Sequence, residues 1–409
     1  MAKGAHRTSA GVRSISRDFA RDANRAGIFA AILTQGPISR RDVAKLTGLS
    51  AATVTKVVKP LVDEGYLIES SEESGIPGRP SIPLDVNPDR HFVIGFKVTA
   101  TELTGVVVDL KARVLESRTR KIRSTSPQSV VTQIAAMVSQ LTAAVNRSEP
   151  AFGIGIGIGG HVDRDGRSVR YAPFMGWRDL PLAEMVEEAT GLETVVENDV
   201  DALALTEQWF GFGKGISNFA VITVGAGVGC GLVINQDLVH GSSGLAGELG
   251  HLVVDARGEE CVCGNTGCLE TVASESAILR YIARRQRSVG PASFAEAVEL
   301  ARSGDKVAIE AFRRAGDALG LGIAAVMNLV NPQKILLSGE GLIAEDLLVE
   351  AVNNSIAEHA FSTAAADCQI ISTPHGAETW ARGAAALVLN TLISRSGRLT
   401  GLAALTSRS

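Results

Sequence analysis

The sequence turns on Gly247-Glu-Leu-Gly-His251-Leu-Val-Val-Asp-Ala-Arg-Gly-Glu-Glu-Cys261-Val-Cys263-Gly-Asn-Thr-Gly-Cys268-Leu-Glu270-Thr271, which holds three of the chain's five cysteines. With His251 they form the pattern H-x9-C-x-C-x4-C. One imidazole and three thiolates make a closed tetrahedral set of the kind a structural Zn²⁺ takes. Gly264 and Gly267 give a short loop the backbone freedom to bring three sulfurs to one point. The alternative is three free thiols in a glycine-rich turn, but clustered Cys in a Cys-poor chain favours metal. Two carboxylates, Glu248 and Glu270, bracket the loop. Alone each reads as a solvated loop acid; together they imply a rigid metal loop that sets polar groups beside a pocket.

Gly247-Glu-Leu-Gly-His251 followed by Cys261-Val-Cys-Gly-Asn-Thr-Gly-Cys268-Leu-Glu270 resembles the signature of the ROK family of repressors, open reading frames and sugar kinases, and leaves open whether the chain is an enzyme or a regulator. The resemblance implies that His251, Cys261, Cys263 and Cys268 bind a structural Zn²⁺. It also implies that Glu248, His251 and Glu270 contact a sugar.

Outward from this loop, the chain's 409 residues have room for two or three domains. No apolar run reaches membrane-spanning length, the N-terminus lacks an apolar signal core, and the few cysteines fit a reducing cytoplasm. The net charge of -4 hides an asymmetry: residues 1–60 carry eleven Lys and Arg against three Asp and no Glu. A basic arm of this kind points to nucleic acid.

Residues 24–67 read as three short helices. Ile28, Phe29, Ile32 and Leu33 recur at helical spacing before Gly36-Pro37. Ser39 caps a helix from Arg40 to Leu46, with Asp42 at the capping-box position. Gly48 turns the chain, and Ser50 caps a helix from Ala51 to Gly65 bearing Thr53, Thr55, Lys56 and Lys59. This is a helix-turn-helix pattern, with small Ala51 and Ala52 allowing close approach to base edges; a three-helix protein-interaction module is the rival. Two strands, Tyr66–Glu69 and Ile82–Val86, then enclose Ser74-Gly-Ile-Pro-Gly-Arg79-Pro80, a wing whose Arg79 suits a narrow minor groove. Arg40, Ser50, Ala51, Thr53, Thr55, Lys56 and Arg79 are the candidate DNA contacts.

From His91 the pattern becomes α/β. Strands at 92–98, 103–109 and 114–122 precede a helix at 127–145 and a glycine-punctuated strand at 152–159; strand, glycine turn and strand recur at 219–234. Two such halves imply a duplicated actin-like (ribonuclease H-like) two-lobed fold. The expected division is a winged helix-turn-helix with basic arm (1–88), a first lobe (89–200, completed by a C-terminal helix at about 378–409), and a second lobe with the zinc loop (201–377).

Kinases of the family carry an Asp-x-Gly-Gly-Thr phosphate loop in the first hairpin. Here the matching stretch is Gly95-Phe96-Lys97-Val98-Thr99-Ala100-Thr101, with Lys97 in the Asp position and side chains where backbone amides must meet phosphate. The second loop, usually Gly-Thr-Gly, reads Gly225-Ala226-Gly227. The resemblance further implies that Asn198 and Asp199 bind sugar hydroxyls, Asp199 being the catalytic base in kinases, with Gly160 lining the cleft; locally, Asn198-Asp199 also reads as a helix cap, the weaker reading beside Glu248, His251 and Glu270. The expectation is a cytoplasmic, sugar-responsive regulator that is not an enzyme. Its partners would be a double-stranded palindromic operator and a sugar or sugar phosphate, and it would act as a homodimer or homotetramer away from membranes. A sugar kinase retaining a DNA-binding arm is the alternative.

Overall fold

The computed structural model describes residues 24–69, 82–145, 147, 149, 151–286 and 290–394. The N-terminal head is α1 (24–35), α2 (Arg40–Thr47), α3 (Ala51–Asp63) and a wing base of antiparallel β1 (Leu67–Glu69) and β2 (Leu84–Val86). Ile28, Ile32, Val43, Val54, Val58, Leu61 and Leu84 fill its core. Ser39 and Ser50 cap α2 and α3 as their positions require, and Gly48 ends α2 with a left-handed φ of 67°. The recognition helix stops at Asp63 rather than Gly65, because Gly65 takes a φ of 77° that starts the turn into β1.

The first lobe follows as β3 (Phe92–Val98), β4 (Glu102–Asp109), β5 (Val114–Lys121), α4 (Pro127–Val145) and β6 (Ile154–Ile158). A small sheet of β7 (His161–Val162), β8 (Val169–Ala172) and β9 (Trp177–Leu180), then α5 (Leu182–Thr190) and β10 (Thr194–Asn198), complete its strands. After α6 (Asp199–Phe210), the second lobe builds β11 (Phe219–Val224), β12 (Val228–Ile234) and β13 (Asp237–Leu238). The metal loop and α7 (Glu270–Ala273), α8 (Glu275–Gln286), α9 (Phe294–Arg302) and α10 (Lys306–Val330) come next, before β14 (Lys334–Ser338), α11 (Glu345–His359), α12 (Ala364–Asp367) and β15 (Gln369–Ser372). Helix α13 (Ala377–Ser394) ends the described chain.

The two main sheets repeat one topology. The first runs β10-β6-β3-β4-β5 and the second β13-β12-β11-β14-β15. In each, the opening strand pairs antiparallel with the second and parallel with the fourth. This is the duplicated actin-like architecture expected from the recurring hairpins.

Helix α13 returns to pack on β3 and β6 of the first sheet. It lies so close that a methyl group on Gly95 or Gly155 would strike the carbonyls of Ala381 and Ala384. Glycine is demanded there by approach rather than by turn geometry. The apolar cores of the head and of this side of the first lobe are continuous: Ile28, Leu61 and Leu84 share a cluster with Val93, Val106, Ala381 and Leu387, and with Ala202, Leu205 and Trp209 of α6. Polar contacts pin the same joint. Arg90 donates from Nε to the Glu64 carbonyl at 3.0 Å, Arg147 pairs with Asp89 at 2.8 Å, and Lys111 pairs with Asp85. His91, 7% exposed, sits between Tyr66 and Phe152 at centroid distances of 5.6 and 5.7 Å, and neither ring nitrogen has a hydrogen-bond partner.

Candidate effector cleft, metal loop and DNA-facing surface

The loop after β13 folds back on itself through short bridges that pair Val253 with Cys268 and Glu260 with Thr266. Cys261 N donates to the Asn265 carbonyl at 2.8 Å and Val254 N to the Gly267 carbonyl at 2.9 Å. These bonds gather one ligand atom each from His251, Cys261, Cys263 and Cys268, all within 4.8 Å of one another. Cys261 Sγ stands 3.5 Å from His251 Nδ1, and Cys263 Sγ 3.6 Å from Cys268 Sγ. Tetrahedral Zn²⁺ with ordinary bond lengths has ligand-to-ligand edges of about 3.5–3.8 Å, so the set fits such an ion. Burial first, and then the neighbouring thiols, push the Cys268 thiol up to about 12; a divalent cation would reverse that preference.

His251 joins this loop to the cleft. While Nδ1 faces the sulfurs, Nε2 lies 3.8 Å from Glu248 Oε2. Burial raises the Glu248 carboxyl above its ordinary value, His251 and His161 counter this, and Glu270 and Asp199 add like charge. Glu270 opens α7, and its Oε2 accepts from Val228 N at 3.1 Å. Glu248, His251 and Glu270 therefore stand together at one wall.

The opposite wall is the start of α6. Asn198 is its cap: Oδ1 accepts from Val200 N at 2.9 Å and Asp201 N at 3.3 Å, while Nδ2 donates to the Gly160 carbonyl at 3.0 Å. The cap and the cleft-lining position are the same residue, and the Gly160 carbonyl is already engaged. Asp199 faces inward and is ion-paired with Lys97 at the end of β3, with both side chains largely shielded. The Lys97 ammonium also lies 4.3 Å from the centre of the Trp380 ring, a cation–π contact. Glu197 Oε2 meets His240 Nε2 at 2.9 Å, and this bond, opposed by burial, raises the His240 pKa. Asp201 is buried behind them, its carboxyl held well above the usual range by desolvation and by Glu197, Glu248 and Asp199. Glu197, His240 and Trp380 were not singled out from the sequence, and Lys97 was noted only as a missing Asp. The complementary charges of Lys97 and Asp199 were the signal that could have joined them.

The two hairpin turns that match the kinase phosphate loops make local contacts of their own. In the β3–β4 turn, Thr99 Oγ1 accepts from Glu102 N at 2.9 Å and Thr101 N at 3.3 Å, and Thr99 N donates to the Glu102 carbonyl at 3.0 Å. Amides that could cradle a phosphate are spent inside the turn. Across the cleft, a side chain on Gly225 would meet Glu340 Oε2 at 2.8 Å. Glu275 N donates to the Gly225 carbonyl at 2.9 Å, and burial, followed by Glu340, raises the Glu275 carboxyl. Two carboxylates thus flank the Gly225–Gly227 loop.

On the head, Ala51, Ala52, Thr55, Lys56 and Lys59 form the exposed stripe of α3 opposite buried Val54, Val58 and Leu61. Several candidate contacts are occupied locally. Ser50 Oγ and Thr53 Oγ1 lie 2.9 Å apart within the cap, Thr55 Oγ1 donates to the Ala51 carbonyl at 2.9 Å, and Arg40 pairs with Glu69. Ala51 and Lys56 remain free-facing. Arg79 and the N-terminal basic arm lie outside the described residues.

Comparison with known proteins agrees with this layout. A model of winged helix-turn-helix DNA-binding domains matches residues 21–68, and the model of the ROK family matches residues 93–391. The xylose repressor of Bacillus subtilis is 27% identical over 91% of this chain and 96% of its own length. A crystal structure of a ROK family transcriptional regulator, a homologue of the E. coli MLC protein, superposes with a TM-score of 0.80 at 28% identity, covering 92% of this chain and 99% of that one. A ROK family glucokinase from Streptomyces griseus, solved with glucose and AMPPNP, superposes with a TM-score of 0.63 at 30% identity over 72% of this chain and 98% of its own. With a family model spanning most of its length and a regulator structure matching 92% of it, the chain belongs to the ROK family.

Proposed function

We propose that this protein is a sugar-responsive transcriptional repressor. The head (1–88) reads a palindromic double-stranded operator, and the cleft between a first lobe (89–200 with the C-terminal helix) and a second lobe (201–377) binds the effector. The protein acts in the cytoplasm as a homodimer or homotetramer, so that two heads meet half-sites about 34 Å apart or a multiple of that. Zn²⁺ is its structural ion, held by His251, Cys261, Cys263 and Cys268. Asn198, Asp199, Glu248, His251 and Glu270 contact the sugar, with Gly160 at the rim.

One observation carries this reading: α6, which begins at the cleft with Asp199, packs on α13, and Ala202, Leu205 and Trp209 belong with α13 to the apolar cluster that runs on into the head. An effector that favours one setting of α6 therefore acts on the packing beneath the DNA-binding helices. It shifts the equilibrium only by its difference in affinity for the two settings. The protein is not a kinase on this reading, since Lys97 occupies the charge of Asp199 and acids flank the nucleotide side.

The test is operator selection from random duplex DNA, followed by titration of the bound protein with free sugars and, separately, a coupled ATP assay. Release by a sugar without ATP consumption is the expected result. Sugar-dependent ATP turnover would establish the kinase alternative, and failure to select any duplex would remove the repressor.

A further inference from the structure

We propose that Ser338, His375 and Glu207 form a hinge pin that makes the two crossings of the chain between its lobes move together, whatever ligand the cleft takes. The chain passes from the first lobe to the second along α6 and returns through residues 373–376 into α13. Each helix packs on the sheet at the far end of its crossing: α6 on β11 and β12, α13 on β3, β4 and β6. The helices also lie on one another, so closely that a methyl group on Gly383 would stand 3.1 Å from the Ala202 carbonyl. Backbone against backbone is a contact about which two helices can pivot. Asp199 lies at the cleft end of α6, and Glu207 lies about 12 Å further along the helix, beyond the pivot.

At that far end three segments meet on one imidazole. His375, in the return segment, has Nδ1 2.6 Å from the hydroxyl of Ser338 at the end of β14. Its Nε2 lies 3.6 Å from Glu207 Oε1. The other carboxylate oxygen accepts from Phe212 N at 2.9 Å, and Gly211 leaves the room it occupies, since a methyl group there would strike it. A ring nitrogen that faces a carboxylate is the one that carries a proton, so in the neutral ring Nδ1 accepts from the Ser338 hydroxyl. The ring is thereby held from both sides, with 11% of its side chain and 4% of the Glu207 side chain exposed. At 3.6 Å the Glu207 contact is longer than a full hydrogen bond, and an approach of about 0.7 Å completes it. A movement the other way withdraws the imidazole from a carboxylate that water scarcely reaches. The return segment therefore opposes any shift of α6 that it does not share, and Ser338 holds the ring in place while it does so.

The experiment is hydrogen–deuterium exchange of the full-length zinc-loaded protein, without sugar or DNA, read peptide by peptide. His375→Phe should speed exchange about tenfold in both 203–212 and 373–381, leaving the head helices and α10 unchanged. Faster exchange confined to 373–381 would overturn the proposal. An amide can replace one ring nitrogen at a time: His375→Gln reaches as far as Nε2 and His375→Asn as far as Nδ1. Gln should restore protection in α6 alone, and Asn in the return segment alone. Full recovery with either would show that one contact suffices and that there is no pin. Ser338→Ala, which spares both the imidazole and the carboxylate, decides the matter where His375→Phe fails to fold. The lost hydroxyl bonds to His375 rather than to α6, yet exchange in 203–212 should rise about threefold or more. Unchanged exchange there overturns the proposal.

Discussion

The first and second sheets follow the same path, yet their hairpin turns meet the cleft differently. In the first, β3 ends in Lys97 and its turn is closed by the Thr99 hydroxyl, so the edge offers one matched ion pair and few free amides. In the second, β11 and β12 join through bare glycines around Ala226, and other elements fill the space: Glu270 from the metal loop, Glu340 after β14 and Glu275 at the start of α8. Duplication preserved the strands because their register and apolar faces are fixed by burial. The turns carry no such constraint, and there the halves differ as an ion-paired edge and an acidic edge.

The largest test of this contrast is the metal loop, which only the second half possesses among the described residues. Cys263→Ala should reduce bound zinc from about one ion per chain and lower the melting temperature by about 10 °C or more, as measured by metal analysis and calorimetry. A variant that keeps its melting point and its sugar response would show that the acidic edge holds itself without metal.

The head is anchored on the first sheet, so a change on its outer face should leave the second untouched. Lys56→Ala should weaken operator binding by about tenfold and flatten its salt dependence by about one ion, with sugar affinity unaltered in the same preparation. Equal loss of both affinities would place Lys56 in the fold rather than on DNA.

A smaller effect concerns the joint between them. Burial and then Arg90 hold the His91 imidazole below its ordinary 6.5, with Glu149 opposing. The unfolded chain therefore binds this proton more readily than the folded one. Stability linked to His91 is present above about 6.5 and declines as pH falls below it. His91→Phe should flatten that decline in denaturant titrations between about pH 6.5 and 5; an unchanged slope would assign it to other groups. Smallest of all, Ala226→Thr restores the missing hydroxyl of the second turn and should yield no ATP hydrolysis, because the acids and the closed first turn remain. Measurable turnover would mean that this single side chain separated the two edges.

Much of this was legible in the sequence. Glycine-punctuated apolar runs gave the sheets, because buried strands need continuous apolar residues and glycine admits a close helix. The metal set was legible because its ligands lie within eighteen residues of one chain segment, from His251 to Cys268. What stayed hidden depends on contacts across distance or on short polar strands. Lys97 and Asp199 are 102 residues apart, and Glu197 and His240 are 43 apart. β7 has two residues, too few for any periodicity. Asn198 showed both of its readings and no spacing argument could choose, since it serves as cap while standing at the cleft.

The return of α13 to the first sheet has a consequence for synthesis. At ordinary translation rates of about 5–20 residues per second, the roughly 290 residues between β3 and α13 take on the order of 15–60 s to make. During that interval the three head helices and their DNA-facing stripe are already outside the ribosome. The shallow floor formed by Gly95 and Gly155 still waits for Ala381 and Ala384. The nascent chain therefore makes its DNA-binding head well before α13 emerges to complete the packing of the first sheet.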